Sequence, residues 1–271
     1  MPTAQHEGRQ AGPADGEYRL YRDLAGWWPL ISPPGQYAQE AEYLAAVLDT
    51  RARVPVREVL DLGSGGGHVA VHLKDRFSLT LVDRSADMLA VSRRLVPQCR
   101  HRQGDMRSVR LGRVFDAVLV HDAIDYVTNL ADLARVIGTA FAHCRPGGIA
   151  VFVPDYVKDG FAELTGSGGG GPDADGRLAR FTEHTWDPDP GDDWVQADYE
   201  FSLCSADGSV AVIRETHRLG AFGRVDWLRL LAAGGFAPAA ELGGPAAAGT
   251  RPEHLFAGHR PVKADPTATR S

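Results

Sequence analysis

The sequence predicts a doubly wound α/β domain, with a helical segment before it and a small antiparallel insertion after its fifth strand. Three observations point there. Short apolar runs alternate with helical stretches from residue 54 onward, the pattern of parallel βαβ units. A glycine-dense turn, DLGSGGGH (61–68), lies between the first apolar run and a helix. An acid, Asp83, closes the second apolar run about twenty residues after that turn.

Composition narrows the function classes. The chain has 271 residues, 44% hydrophobic and 24% charged, enough for one large domain with a buried core. Its net charge is −6, from 29 basic and 35 acidic residues, which argues against a nucleic-acid binder. Cys99, Cys144 and Cys204 are widely spaced and odd in number, so no disulfide framework or zinc spacing is read from them. No apolar run approaches 18 residues and residues 1–16 have no apolar h-region. A cytoplasmic protein with no membrane segment is expected.

The elements follow in order. Residues 1–16 and 261–271 are polar and read as disordered tails. Residues 17–50 hold clustered aromatics, then a helix after Pro34, and read as a lid. EVLDL (58–62) and SLTLV (78–82) are buried-strand runs, followed by helices over about 68–74 and from Ser85. A weak strand falls at 100–103, and FDAVLVH (115–121) is a strong one. An amphipathic helix over 129–144 ends before Pro146, Gly147 and Gly148, and GIAVFVP (148–154) is the next strand. Five glycines in six residues (166–171) predict a flexible loop. Two-fold periodicity then gives two strands joined at Asp207–Gly208. A helix over 224–236 with a glycine cap and a last strand at 254–260 complete the chain. The core is expected at 51–160 and 210–260, the loop and insertion at 161–209.

The glycine turn lets a ligand approach the main chain closely. It is an imperfect dinucleotide fingerprint. Gly63 and Gly65 fit, but the sixth position is His68, and the glycine needed for close helix packing is displaced to Gly67. Asp61 lies just before the first glycine, where a carboxylate repels pyrophosphate and tolerates a cation. Asp83 is placed to accept from two ribose hydroxyls, and Asp105, in GDM (104–106), from an exocyclic amine.

VLDLGSGGGHVA, LTLVDRSADMLAVSRR, QGDM, FDAVLVHDAIDYV and CRPGGIAVFVPD, in that order over about 58–155, resemble the successive motifs of class I S-adenosylmethionine-dependent methyltransferases. The resemblance implies a Rossmann-like seven-stranded sheet and S-adenosylmethionine as cofactor. By that likeness Asp61, Gly63, Ser64, Gly65 and Gly67 hold its methionine part. Asp83 takes the ribose, with Arg84 and Met88 beside the adenine, and Asp105 meets the adenine amine with Met106 next to it. His121, Asp122 and Ala123 face cofactor and substrate, and 145–148 form a structural turn before the fifth strand. The flanks YRDLAGWWPL and QYAQEAEYL look like the lid of small-molecule members, with Tyr21 over the cofactor. The segment ending in THRLGAFGRVDWLRLLAAGGF is similar to that of amino-sugar and glycine N-methyltransferase-like enzymes.

In-line methyl transfer disperses the sulfonium charge, so alignment contributes more than acid catalysis. An amine must arrive neutral or lose a proton to a base. His121 is the candidate base because an unperturbed imidazole titrates near neutrality; packing against the cofactor is an equal reading. Asp122 and Asp125 either hold a substrate ammonium or start a helix. Trp28, Tyr37 and Tyr126, with Asp155, Tyr156 and Glu183, are the candidate substrate wall, since aromatic faces attract sulfonium and ammonium ions; core packing serves most of them equally well. His68 and His217 are read as structural, and no metal-ligand spacing is evident. The expected activity is methylation of a small metabolite at an amine nitrogen, in a bacterial natural-product or sugar setting. Alternatives are an O-methyltransferase, a nicotinamide-dependent oxidoreductase and a non-catalytic cofactor binder. A homodimer through an edge of the insertion is a further expectation.

Overall fold

A computed structural model describes residues 18–237, 239–243 and 254–262. The tail expected at 1–16 lies outside the described residues, as does the other tail beyond 262. The N-terminal segment folds as 3-10 turns at Arg19–Tyr21 and Ala25–Trp27, a short helix α1 (Trp28–Ile31) and a third turn at Pro34–Tyr37. Helix α2 (Ala38–Arg51) leads to β1 (Glu58–Leu62), α3 (Ala70–Leu73), β2 (Ser78–Asp83), α4 (Ala86–Leu95) and β3 (Arg100–Gln103). Then come β4 (Phe115–His121), a 3-10 turn at Ala123–Tyr126, α5 (Leu130–His143) and β5 (Cys144–Val153). Four strands follow: β6 (Leu164–Gly168), β7 (Leu178–Trp186), β8 (Trp194–Cys204) and β9 (Val210–Gly220). The chain closes with α6 (Arg224–Ala233), β10 (Ala239–Gly243) and β11 (His254–His259).

The main sheet has seven strands in the order β10-β11-β5-β4-β1-β2-β3, with β11 antiparallel to both neighbours and the rest parallel. Every residue of β4 is buried, as expected of a central strand covered on both faces. Alternation along the strands divides the core. Leu60, Val118, Val120, Ala150 and Phe152 meet α5 and α6 through Leu133, Ile137, Trp227 and Leu231. Val59, Leu81, Ala117, Leu119 and Val151 meet α2 and α3 through Leu44, Leu48, Ala70 and Leu73.

The second sheet, β6-β7-β8-β9, is antiparallel throughout. Leu20, Leu24, Leu30 and Ile31 of the N-terminal segment pack on its Ala179, Phe201 and Leu203. Its other anchor is Tyr156 with Val195, Ala197 and Leu219. The N-terminal segment also reaches α4, where Ala25 packs with Met88 and Val91. Among the described residues no helix is long and apolar enough to cross a membrane.

Several boundaries differ from expectation, each for a physical reason. Val210–Gly220 is the fourth strand of the small sheet, paired along its whole length with β8, so that sheet extends past 209. The glycine-rich loop begins as a strand, because Gly168 lies so close to Phe181 that a Cβ would stand 2.5 Å from its ring. Helix α2 is a layer on the sheet, held by Ala41, Leu44 and Leu48; the covering element is the stretch before it. The turn expected at 145–148 is the start of β5, with Arg145 in an ion pair to Asp116 at 2.9 Å. Strand β10, AAELG, was not anticipated: it has no apolar run and forms by pairing with β11.

Candidate active site

A cavity of about 700 Å³ opens at the carboxyl ends of β1, β2 and β4, beneath the N-terminal segment. That is where open α/β sheets bind ligands, at the point where strand order reverses. The glycine turn after β1 forms its floor. Gly63, Gly65 and Gly67 have φ of +81°, +52° and +80°, conformations that favour glycine. The approach is close: a Cβ at Gly63 would lie 2.3 Å from that of Ala123, and one at Gly66 would lie 2.7 Å from Trp28.

Two buried polar atoms here have no hydrogen-bond partner, Ser64 Oγ in the floor and Asp61 Oδ1 just behind it. Burial drives the Asp61 carboxyl up to about 7. An unsatisfied carboxylate under a glycine turn fits a cationic ligand group, and so fits the amino end of S-adenosylmethionine. Asp83 accepts from the backbone N–H of Gly65 and of Ser85, each at 2.8 Å, and burial raises its pKa. Its carboxylate locks the turn against α4 and retains capacity for further donors. Asp105 is gripped by Arg107, whose Nη2 stands 2.7 Å from Oδ2, and this holds the carboxyl below its ordinary range. Arg107 also bridges to Asp132 at 2.9 Å.

His121 ends β4 wedged between acids. Its Nε2 hydrogen-bonds Glu40, from the first turn of α2, and its Nδ1 lies 3.2 Å from Asp122 Oδ1. Burial alone lowers its pKa, but Asp122, Glu40 and Asp155 together outweigh that and hold it at about 10. At neutral pH it is therefore an imidazolium with both nitrogens engaged. In that state the ring expected as a base has no lone pair to offer. Glu40, His121 and Asp122 also bring three metal-capable atoms within 4.8 Å of one another. Asp122 has φ of +47°, alone among the described non-glycine residues in that region, and makes no side-chain cap to the turn it precedes. Such strain marks functional positions.

Of the anticipated residues, Tyr21, Gly63, Ser64, Gly65, Asp83, Arg84, Met88, Asp105, Met106, His121, Asp122 and Ala123 line this cavity. So do Trp28, Tyr37, Tyr126 and Asp155. Asp61 and Gly67 lie behind the wall; a Cβ on Gly67 would stand 2.6 Å from Ser92 Oγ. Tyr156 and Glu183 are not in the wall either. They are buried and bonded to each other at 3.1 Å, which corrects their place in the candidate substrate wall. Residues that the sequence did not single out as site groups also contribute: Tyr18, Arg22, His68, Tyr199 and Arg218 line the cavity. His68 lies 5.8 Å from the Trp28 ring, and burial drives it down to about 4. The glycine turn could have flagged His68; Tyr199 and Arg218 come from the small sheet and carry no local signal.

Residues 59–148 match the methyltransferase domain family. Over 130 residues the chain is 33% identical to a dTDP-3-amino-3,4,6-trideoxy-alpha-D-glucopyranose N,N-dimethyltransferase of Streptomyces venezuelae, 47% of this chain and 54% of that one. Over 224 residues it is 28% identical to a dTDP-3-amino-3,6-dideoxy-alpha-D-glucopyranose N,N-dimethyltransferase of Streptomyces fradiae, 79% of this chain and 82% of that one. The structure of the sugar N-methyltransferase KedS8 from a Streptoalloteichus species superposes with a TM-score of 0.73 at 26% identity, over 97% of this chain and 100% of that one. The match thus spans about half the length of the first of these relatives. Sheet order, glycine turn and matched stretch together define a class I S-adenosylmethionine-dependent methyltransferase domain. Within that class, the named proteins it is similar to include amino-sugar N-methyltransferases.

Proposed function

We propose that this protein transfers the methyl group of S-adenosylmethionine to the amine nitrogen of an amino sugar, nucleotide-linked as in its relatives, in bacterial natural-product biosynthesis. The observation that carries the reading is the glycine-floored cavity with an unsatisfied buried carboxylate at Asp61, in a chain similar to named sugar N,N-dimethyltransferases. Bound there, S-adenosylmethionine supplies an electrophilic methyl on sulfur. Asp61 and the backbone at Gly63 and Gly65 would hold its amino-acid end, and Asp83 its ribose. Asp105, Met106, Arg84 and Met88 would surround the adenine. The acids Asp122 and Asp155, also in the lining, suit an incoming ammonium, and Tyr21, Tyr37 and Trp28 would shield it from water. Three free cysteines accord with a cytoplasmic setting.

Calorimetric titration with S-adenosylhomocysteine, with NADH and NADPH in parallel, tests the cofactor. Only the first should bind. Its amino group stabilises ionised Asp61, so the carboxyl pKa falls on binding. Below about pH 7 binding then releases a proton, and affinity rises with pH until Asp61 is ionised beforehand. Binding of a nicotinamide, or affinity that falls as pH rises from 5.5 to 7, would sink the assignment. Incubation with dTDP-3-amino-3,6-dideoxy-alpha-D-glucopyranose should add one or two methyl groups by mass spectrometry.

A further inference from the structure

A continuous polar path runs from the cavity wall into the protein, and its inner members, Tyr126, His217 and Glu215, have no assigned part in cofactor binding. Tyr126, on the 3-10 turn after β4, lines the cavity, and its hydroxyl lies 3.0 Å from Nδ1 of His217. His217, on β9, is fully buried, and its Nε2 lies 3.4 Å from Oε2 of Glu215. On the cavity side, the Tyr21 and Tyr126 hydroxyls are hydrogen-bonded to each other.

The bond directions follow from chemistry. Glu215 also accepts from the backbone N–H of Arg19 at 2.7 Å and of Leu20 at 3.1 Å, and its carboxyl is held below its ordinary range by His217 and these donors despite burial. It is an acceptor, so the proton of neutral His217 resides on Nε2. The bare Nδ1 must accept from Tyr126, and Tyr21 must then donate to Tyr126. Groups facing His217 are Glu215 on its own strand, Glu183 on β7, Tyr199 on β8, Tyr126 on the turn, and Tyr18 and Tyr21 from the N-terminal segment. Both of the charged groups among them are carboxylates, so they stabilise an imidazolium once a proton arrives. Burial keeps the ring neutral until then.

We propose that Tyr126 is the proton acceptor of the reaction, with His217 and Glu215 as positioning residues that draw its proton inward. This rests on the reading that the acceptor is an amine. The substrate ammonium gives a proton to Tyr126 Oη while the Tyr126 proton passes to His217 Nδ1. The freed nitrogen lone pair forms the N–CH3 bond, and the S–CH3 bond breaks with its electron pair remaining on sulfur. The products are a methylammonium, a neutral thioether and an imidazolium facing ionised Glu215. The proton returns to solvent by the same path after product leaves. His121, already protonated between Glu40 and Asp122, has no place in this step. The relay is complete only with the N-terminal turn docked, because that turn supplies Tyr18, Tyr21 and the two backbone donors to Glu215.

Two readouts on the full chain test it. In 15N imidazole spectra of the complex with S-adenosylhomocysteine at pH 7, His217 should be neutral with its proton on Nε2. Tyr126→Phe should shift the Nδ1 resonance. A proton on Nδ1, or an unchanged resonance, overturns the relay whether or not any amine is methylated. With dTDP-3-amino-3,6-dideoxy-alpha-D-glucopyranose, Tyr126→Phe and His217→Gln should lower kcat at pH 7 about 100-fold. Affinity for S-adenosylhomocysteine should change less than about threefold, and kcat should recover roughly tenfold per pH unit above 7, because solvent hydroxide replaces the lost acceptor. A loss that is the same at every pH marks a structural role and overturns the proposal. A wild-type enzyme that methylates no amine fails the functional reading instead, and the spectra still decide the relay.

Discussion

A histidine held between two acids acts as a cation, and His121 is one. Its side chain is 8% exposed and that of Glu40 16%, so the pair sits largely out of water. Removing one member of such a pair strands the other charge. His121→Asn should therefore destabilise the fold by about 3 kcal/mol at pH 7. The sign with pH follows from the raised pKa: the contribution is complete below about 6.5 and disappears as pH rises through about 10. Urea unfolding at pH 7 and 10.5 checks this. The wild type should lose stability over that interval and the variant should not; parallel losses in both would refute the ion pair. Position 121 at a strand end was legible in the chain. Its protonation was not, because Glu40 stands 81 residues away.

Among the elements, the glycine turn depends on a neighbour distant in sequence. Gly63 needs positive φ and also has the 3-10 turn after β4 pressed against it at Ala123. Gly63→Ala should cost about 2–3 kcal/mol of stability, combining backbone strain with a methyl contact that cannot rotate away. Its affinity for S-adenosylhomocysteine should drop more than tenfold. Gly112 is the control, with φ of +68° and open space around it, so Gly112→Ala should cost only about 1 kcal/mol and leave affinity unchanged. Equal effects at both positions would mean that strain alone matters. The strands at 58–62, 78–82 and 115–121 were read from apolar runs because burial on both faces leaves that mark. β6 and β10 carry no such run: one ends in a glycine fitted against Phe181, the other is recruited by an existing strand.

Over the whole molecule, the N-terminal segment and the small sheet act as one cover. Hydrophobic contact joins them through Leu20, Leu24, Phe201 and Leu203, and Glu215 fastens the first turn by its backbone. Glu215→Ala should raise hydrogen-exchange rates at the Arg19 and Leu20 amides at least tenfold, since a hydrogen bond to a charged group contributes about 1.5–3 kcal/mol. Exchange in β4 should be unchanged. Protection retained at both amides would show that the apolar contacts alone hold the cover. Ser85 adds a second fastening, capping α4 at Met88 N while donating to the Tyr21 carbonyl.

By itself the sequence determined the α/β class, the glycine turn and the series of acids at strand ends, because periodicity and local turn chemistry are written in neighbouring residues. It also placed most of the cavity wall, since motifs at strand ends converge wherever a parallel sheet forms. Tertiary structure alone decided which groups share protons and charge. Tyr126 and His217 meet across 91 positions, and Leu20 and Glu215 across 195. Nothing local distinguishes His217 from any inward-facing strand residue. Protonation states depend on burial and on carboxylates brought close by packing, and both exist only in the folded chain.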